Sequence, residues 1–241
     1  MKVAIYNDCH TIRYNHFGCE LVMETFADQL KRVDCELVGT VKKDQIRNKH
    51  TVKSVLDKAD LVIVNGEGSF HHNRRNDILD IAENWPSILV NTVFEKNTTK
   101  GKLKSFKYIS CRESFSSNEC AKELGENVDT IPDIIFTNKR LLALKHTPKY
   151  DLIKVRHHSD LRTLNSADYF LNTLKEYKSV SSVSYHALIV SLLIGQTIQE
   201  VIKSNTHKNE GLMHDYNTDP HYIENSKAKI NSLFENIHNI K

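Results

Sequence analysis

The chain reads as an α/β protein made of two Rossmann-like units, the second abbreviated, with a C-terminal helix that bridges them. Three observations predict this. Short apolar runs alternate with stretches of helical spacing from Val3 to Ile131, the pattern of an open, mostly parallel sheet with right-handed crossovers. The alternation lapses over residues 137–150, a segment that carries Pro148, and then restarts. Finally, Ile223, Ile230, Leu233, Phe234 and Ile237 recur at helical spacing near the end of the chain.

The elements follow in order. Residues 3–6 form a first strand and 18–30 a helix, with Leu21, Val22, Phe26 and Leu30 at helical spacing. Then come strand 36–41, helix 52–57, strand 61–65, helix 77–84, and strands 88–91 and 108–111. Residues 114–124 are helical and stop at Gly125, and 129–131 make a short strand before Pro132. Past the lapse, strand 151–155, a helix within 161–177, strand 179–182, an apolar helix over 185–194 ended by Gly195, and strand 197–202 complete the second unit. The expected limits are a larger unit over 1–136, a smaller one over 151–220, and the closing helix over 221–241.

Composition narrows the class. With 241 residues, 39% hydrophobic content and only 4 prolines, the sequence suits a globular protein with few disordered linkers. No apolar run approaches the roughly 18 residues of a membrane span, so the expectation is a soluble, cytoplasmic protein, or one of the host cytoplasm if phage-encoded. Cys9, Cys19, Cys35, Cys111 and Cys120 are odd in number and lack Cys-x-x-Cys spacing, which argues against a disulfide framework and a structural zinc site. A net charge of +3 is too small to announce a nucleic-acid binder. Its distribution says more: Lys96, Lys100, Lys102, Lys104 and Lys107 follow one another without an acid, and a second basic run spans 42–53.

The most informative stretch is Leu61-Val62-Ile63-Val64-Asn65-Gly66-Glu67-Gly68-Ser69-Phe70-His71-His72. An apolar strand buried on both faces feeds a glycine-bracketed acid and two imidazoles, and glycines there let a backbone turn tightly or approach a ligand. Ligands of open α/β sheets bind outside the carboxyl ends of the strands, so the loops 7–18, 42–53, 66–75 and 92–107 are expected to converge, with both basic runs flanking one cleft. That placement suggests a polyanionic acceptor, an acidic polysaccharide or DNA. Glu67 is the candidate general base, with His71 and Arg112 completing the catalytic set. Successive side chains of an extended backbone oppose each other, so only one of His71 and His72 can point inward. No local set of ligands completes a metal site there, and none is assigned. In the second unit, Ser184 and His186 open an apolar helix, and Ser204, Asn205, His207 and Lys208 lie on a polar turn before another helix. Both are settings for an anion, and Arg156 follows the unit's first strand. These residues form the donor-phosphate set.

Several separated motifs then resemble one family. They are Asn15-His16-Phe17-Gly18-Cys19, the Val64–His72 stretch, Val90-Asn91-Thr92-Val93, Cys111-Arg112-Glu113-Ser114-Phe115-Ser116, Ile131-Pro132-Asp133-Ile134-Ile135-Phe136, Ser184-Tyr185-His186-Ala187 and the run from Ser204 to Leu212. Together, in this order, the chain resembles the polysaccharide pyruvyl transferase superfamily. The resemblance implies a fold like that of two-domain, GT-B-like glycosyltransferases. It also implies transfer of a pyruvyl or glycosyl group to a hydroxyl of the acceptor. The donor would be phosphoenolpyruvate or a nucleotide sugar such as a UDP-sugar, with no tightly bound cofactor. Asn15, Phe17, Gly18, Gly66, Ser69 and Phe70, with Lys100, Lys102 and Lys104, are the expected acceptor-binding set. Two departures stand out: the family usually has an arginine just before the aromatic-His-Ala element, where this chain has Val183-Ser184, and its second domain is usually longer. The rivals are a bacteriophage-type DNA glycosyltransferase acting on 5-hydroxymethylcytosine, with Phe70, Phe94 or Tyr14 stacking on a flipped base, and a binding module that has lost catalysis.

Overall fold

The computed structural model describes residues 1–10, 17–156 and 166–240. Six parallel strands form one sheet in the order β2-β1-β3-β4-β5-β6: β1 (Lys2–Asp8), β2 (Glu36–Lys42), β3 (Leu61–His71), β4 (Ser87–Glu95), β5 (Tyr108–Cys111) and β6 (Asp129–Thr130). Three further parallel strands, β7 (Tyr150–Val155), β8 (Tyr177–Ser182) and β9 (Thr197–Val201), make a separate, smaller sheet. The α/β class and the parallel pairing expected from the alternation are both present.

Strand periodicity divides the large sheet into two buried faces. Val3, Ile5, Leu61, Ile63, Ile88 and Val90 point into one core, where they meet α1 (Phe17–Arg32) and α8 (Tyr222–Glu235). Ala4, Tyr6, Val62, Val64 and Leu89 point into the other, beneath α2 (Lys49–Leu56), a 3-10 helix (Asn76–Glu83) and α3 (Ser114–Leu124). Burial on both faces is why these strands read as continuous apolar runs. The first core does not stop at the large sheet. It continues through Phe170 and Leu171 of α5 (Ala167–Leu174), Val180 of β8 and Leu188 and Ile189 of α6 (Tyr185–Leu193). Between the sheets lie a 3-10 turn (Ile134–Thr137) and the short α4 (Lys139–Leu142).

Helix ends follow their sequence signals. Glu113 caps α3 by accepting from Ser116 N at 3.0 Å, and Gly125 closes it at φ +84°, a left-handed conformation that glycine adopts without steric cost. The closing helix meets α1 through an edge contact of Phe26 and Phe234 at 6.2 Å and an Arg32–Glu235 ion pair at 2.8 Å. Its first turn packs Tyr222 against Phe136 at 5.6 Å and against Tyr216 of α7 (Lys208–Thr218) at 6.0 Å.

Two strands outrun their expected limits. The loops expected over 66–75 and 92–107 start later than their sequence suggests: β3 continues to His71 and β4 to Glu95, with Glu67 paired to Thr92 and His71 to Glu95. A register irregularity between Glu67 and Phe70 lets the pairing persist, and Glu67 takes a positive φ of 37° within it. Such bulges re-aim side chains next to sites. The helix expected within 161–177 is described only as α5, because part of that range lies outside the described residues. Among the described residues no helix is long and apolar enough to cross a membrane.

Candidate active site

In the large sheet the chain runs outward from β1 to β2 on one side and from β3 on the other. The order therefore reverses between β1 and β3, and in open α/β sheets a crevice opens at that point, beyond the carboxyl ends of the strands. Asn7 and Asp8 end β1 there, and Asn65, Gly66 and Glu67 occupy the matching stretch of β3.

A chain of buried amides holds the acid. Asn91 Nδ2 donates to Asn65 Oδ1 at 3.1 Å, and Asn65 Nδ2 donates to Glu67 Oε1 at 3.2 Å. Asn7 Nδ2 donates to Asn65 O at 2.7 Å and to Ser69 Oγ at 3.1 Å. Asn7 and Asn91 both sit at positive φ, 67° and 55°, which asparagine tolerates better than most residues. The second carboxylate oxygen, Glu67 Oε2, accepts from Cys19 Sγ at 3.4 Å. Hydrogen bonding with Cys9, burial and the charge of Glu67 push the Cys19 thiol well up, so it is protonated and donates. Glu67 is thus held by side chains, not spent on capping its own loop.

Gly66 explains why this acid can sit inside the sheet. A Cβ there would lie 2.1 Å from Thr92 Oγ1 and 2.9 Å from Thr92 Cα. The close approach read from the glycine is therefore to the neighbouring strand, while Gly68 faces open space.

Within electrostatic reach of Glu67 lies a cationic group. Arg112 follows β5, donates from Nη1 to Asp133 Oδ2 at 2.9 Å, and lies 4.0 Å over the ring of Tyr185. The same Asp133 oxygen is 3.4 Å from His186 Nε2. Burial alone would raise the Asp133 carboxyl. The hydrogen bond and charge of His186, the charge of Arg112 and the Ile135 amide outweigh it and hold the carboxyl below its usual range. Lys208, at the start of α7, feels Arg112, Glu67, Cys19 and Asp133. Burial, then the Arg112 charge, pushes its ammonium down to about 8 against the pull of the acids. Among the described residues, neither α6 nor α7 has a side-chain hydrogen bond at its N-cap, and Ser184 Oγ and Arg112 Nε are buried without a partner. Unfilled donors beside a depressed lysine suit an anion.

Two glycines seat the small-sheet helices against the large sheet. A Cβ at Gly18 would fall 1.9 Å from His186 Nδ1, and one at Gly211 would fall 2.2 Å from Glu113 Oε2. His207 lies among three carboxylates, 3.7 Å from Glu95 and from Glu113 and 3.6 Å from Glu119. His71 is half-buried, and burial followed by the charges of Arg74, His72 and Lys208 lowers its pKa. His72 is exposed, but at φ 53° it leaves the extended backbone. Its ring turns back to His71, Nδ1 to Nδ1 at 3.1 Å, so the two imidazoles do not oppose each other as simple alternation predicts.

The structure therefore gathers Glu67, Arg112, His186 and Lys208, and brings His207 and His71 to their border. Other expected residues fall elsewhere. Gly18 is filled by the His186 ring, which leaves no room there for an acceptor. Phe17 stacks on Phe170 with centroids 3.5 Å apart, and Phe70 and Phe94 are buried in the core, so none of the three offers a face to an acceptor or a flipped base. Ser69 is tied to Asn7. Ser204 donates to the Thr206 carbonyl, and Asn205 is exposed on the same turn. Arg156 is exposed at the end of β7; the guanidinium beside Tyr185 and His186 comes from Arg112. Asn15 and Tyr14 lie outside the described residues.

The lysine run is the largest correction. The chain leaves β4 at the carboxyl end and returns to the amino end of β5, carrying the lysines with it. Lys100 is exposed in a turn, and Lys102 pairs with Asp80. Lys104 lines a surface hollow with Lys107, Tyr108 and residues 125–129, at the amino ends of β5 and β6. Lys104 therefore lies away from the crevice that holds Glu67, and Lys102 is engaged by Asp80. Asn7, Cys9, Asn65 and Asp133 join the site without having been among the expected site residues; Asp133, directly after Pro132 and a short strand, was the most legible of them.

Fold and site together define a doubly wound α/β protein with a buried acid at its switch point and a cationic group near it. The comparisons with known proteins are specific about its kin: the model of the polysaccharide pyruvyl transferase family matches residues 16–195, and the chain belongs to that family. The family makes it a transferase. A crystal structure of an uncharacterized protein from Klebsiella pneumoniae subsp. pneumoniae NTUH-K2044 is similar in fold, with a TM-score of 0.64 at 15% identity over 91% of this chain and 90% of that one. No curated protein matches the sequence.

Proposed function

We propose that the protein transfers the pyruvyl group of phosphoenolpyruvate to hydroxyls of a polysaccharide. The observation that carries this reading is the electrostatic proximity of a buried, amide-held Glu67 to Arg112 and Lys208, with His186 sharing Asp133 with Arg112, within a chain of the pyruvyl transferase family. Arg112, His186 and Lys208, with the uncapped starts of α6 and α7, hold the donor's phosphate and carboxylate. Glu67 takes the proton of the attacking hydroxyl. The acceptor oxygen bonds to the central carbon of the enol, whose methylene carbon gains a proton. Phosphate then leaves with the electrons of its bond to that carbon. Attack by a second hydroxyl closes the ketal, and its proton departs with phosphate. Developing negative charge on the phosphate is what the cations stabilise most.

Two Rossmann-like units in a GT-B-like arrangement, over 1–136 and 151–220 with the closing helix over 221–241, suit this division of labour. The acid comes from the large sheet, and His186 and Lys208 from helices associated with the small one. The DNA reading is less supported, since Phe70 and Phe94 are buried and Lys104 lies at the amino ends of β5 and β6.

The test pairs binding with turnover. Phosphoenolpyruvate should raise the melting temperature, and UDP-sugars should not. With a polysaccharide offering paired hydroxyls, phosphate release and a new ketal methyl resonance should appear together. Glu67→Gln should cut the rate about 100-fold or more while keeping the donor-induced shift. Stabilisation by a UDP-sugar alone would replace the pyruvyl donor with a glycosyl one, and wild-type turnover by Glu67→Gln would return the carboxylate to a structural role.

A further inference from the structure

Sequence spacing argued against zinc because the cysteines are not paired along the chain, but the fold pairs two of them in space. β1 delivers Cys9 just past its carboxyl end, and α1 begins two residues before Cys19. One ligand atom from each of Cys9, Cys19 and Glu67 lies within 4.8 Å of the other two, the one such cluster among the described residues. The geometry points to a zinc site made by the thiolates of Cys9 and Cys19 and a carboxylate oxygen of Glu67, with a fourth position open.

Four observations carry it. First, the spacing suits the ion. Zinc–sulfur bonds of about 2.3 Å and zinc–oxygen bonds of about 2.1 Å in a tetrahedron separate sulfur from oxygen by about 3.6 Å. Cys19 Sγ and Glu67 Oε2 are 3.4 Å apart, so an ion replacing the shared proton needs little movement. Second, the donor set is selective: two thiolates favour zinc over magnesium or calcium, which prefer oxygen. Third, the outer shell is already built. Asn65 Nδ2 binds Glu67 Oε1, leaving Oε2 for the ion, and Asn91 in turn fixes Asn65. Fourth, the charge balances. A divalent ion with two thiolates and a carboxylate carries one net negative charge, which Arg112 and Lys208, both electrostatically coupled to Glu67, would stabilise. Burial protects Cys19 and Glu67, whereas Cys9 is half-buried and gives the ion a way in. Loading releases the two thiol protons to solvent. The open position would take water or an acceptor hydroxyl and loosen its proton, which is the sense in which the site would serve transfer.

This inference would change Glu67 in the transfer reading from proton acceptor to metal ligand, with the ion's open position loosening the acceptor proton, and it fails separately from that reading. Metal binding would stand if phosphoenolpyruvate were never a donor, and loss of turnover in Glu67→Gln would stand if no metal bound. The experiment titrates the reduced, metal-free full chain with Zn²⁺ against a chromophoric chelator, and with Co²⁺ by absorption. One equivalent should bind, and cobalt should show thiolate charge-transfer absorption in the near ultraviolet. Cys19→Ser and Cys9→Ser should each weaken zinc by more than about 100-fold, beyond the usual effect of an outer-shell partner. They should also lose the charge-transfer band. Cys35→Ser, whose thiol lies 3.6 Å from His238, should bind as wild type. If Cys19→Ser does not fold, Cys9→Ser at the half-buried position decides alone. Absence of stoichiometric binding, binding without a thiolate band, or wild-type affinity in the folded Cys9→Ser protein overturns the site.

Discussion

The tail of β3 and the lysine run after β4 both stood out in the sequence, and the fold treats them in opposite ways. In β3, Asn65, Glu67 and Ser69 are buried polar residues, each with a hydrogen-bonded partner. Burying such groups is costly unless they are satisfied, so a fully partnered acid inside a sheet marks a place the structure was built around. Along 96–107 the lysines are mostly exposed, Lys102 is neutralised by Asp80, and the segment crosses to the other end of the sheet. Solvated charges of this kind interact weakly and leave little structural trace. Density of charge in sequence is therefore a poorer guide to this site than a single acid set among glycines and apolar residues.

The comparison breaks most visibly at Asp133. Asp133→Ala would leave Arg112 buried with its main partner gone, and a loss of about 3–5 kcal/mol in denaturant unfolding is expected. A loss under about 1 kcal/mol would mean that water replaces the carboxylate and that the site is wetter than its burial implies. Gly66→Ala should cost roughly 1–3 kcal/mol, because the new methyl meets Thr92 at both side chain and backbone. Gly68→Ala, facing open space, should be far milder, and equal losses at the two positions would contradict the close packing of β3 on β4.

Lys208 sharpens the electrostatic half of the contrast. Its folded pKa, about 8, is below the ordinary 10.5, so the folded protein loses this proton first. Between about 8 and 10.5 the unfolded chain binds more protons, and the Lys208 contribution to stability rises with pH across that window. Anion binding needs the charged form and should therefore weaken as pH passes about 8. Lys208→Arg, which stays charged, should remove that step from a phosphoenolpyruvate titration. A step unchanged in Lys208→Arg would belong to another group.

The smallest effect is expected from replacing Lys100, Lys102 and Lys104 together by alanine. Stability should change by about 0.5 kcal/mol per site or less, and transfer to a neutral acceptor should be unaffected. A marked loss of affinity for an acidic polymer, with a shallower salt dependence, would restore the basic run to the acceptor surface.

The α/β class, the parallel pairing and the limits of β5 and α3 were legible in the residues, because apolar period, capping acids and terminal glycines act over a few positions. Arg112, His186 and Lys208 were legible for a related reason, each standing where a strand ends or a helix begins, and Glu67 stood out as an acid between two glycines after an apolar run. What lay beyond sequence depends on contacts between distant segments. Whether Gly66 meets a ligand or Thr92, whether Phe17 and Phe70 face solvent or core, and whether lysines follow a loop to the far end of the sheet are matters of register and crossover. The meeting of Cys9 with Cys19 and the sharing of Asp133 by Arg112 and His186 are also tertiary events, since side chains far apart along a chain become neighbours only when the sheet order and the packing of its helices bring them together.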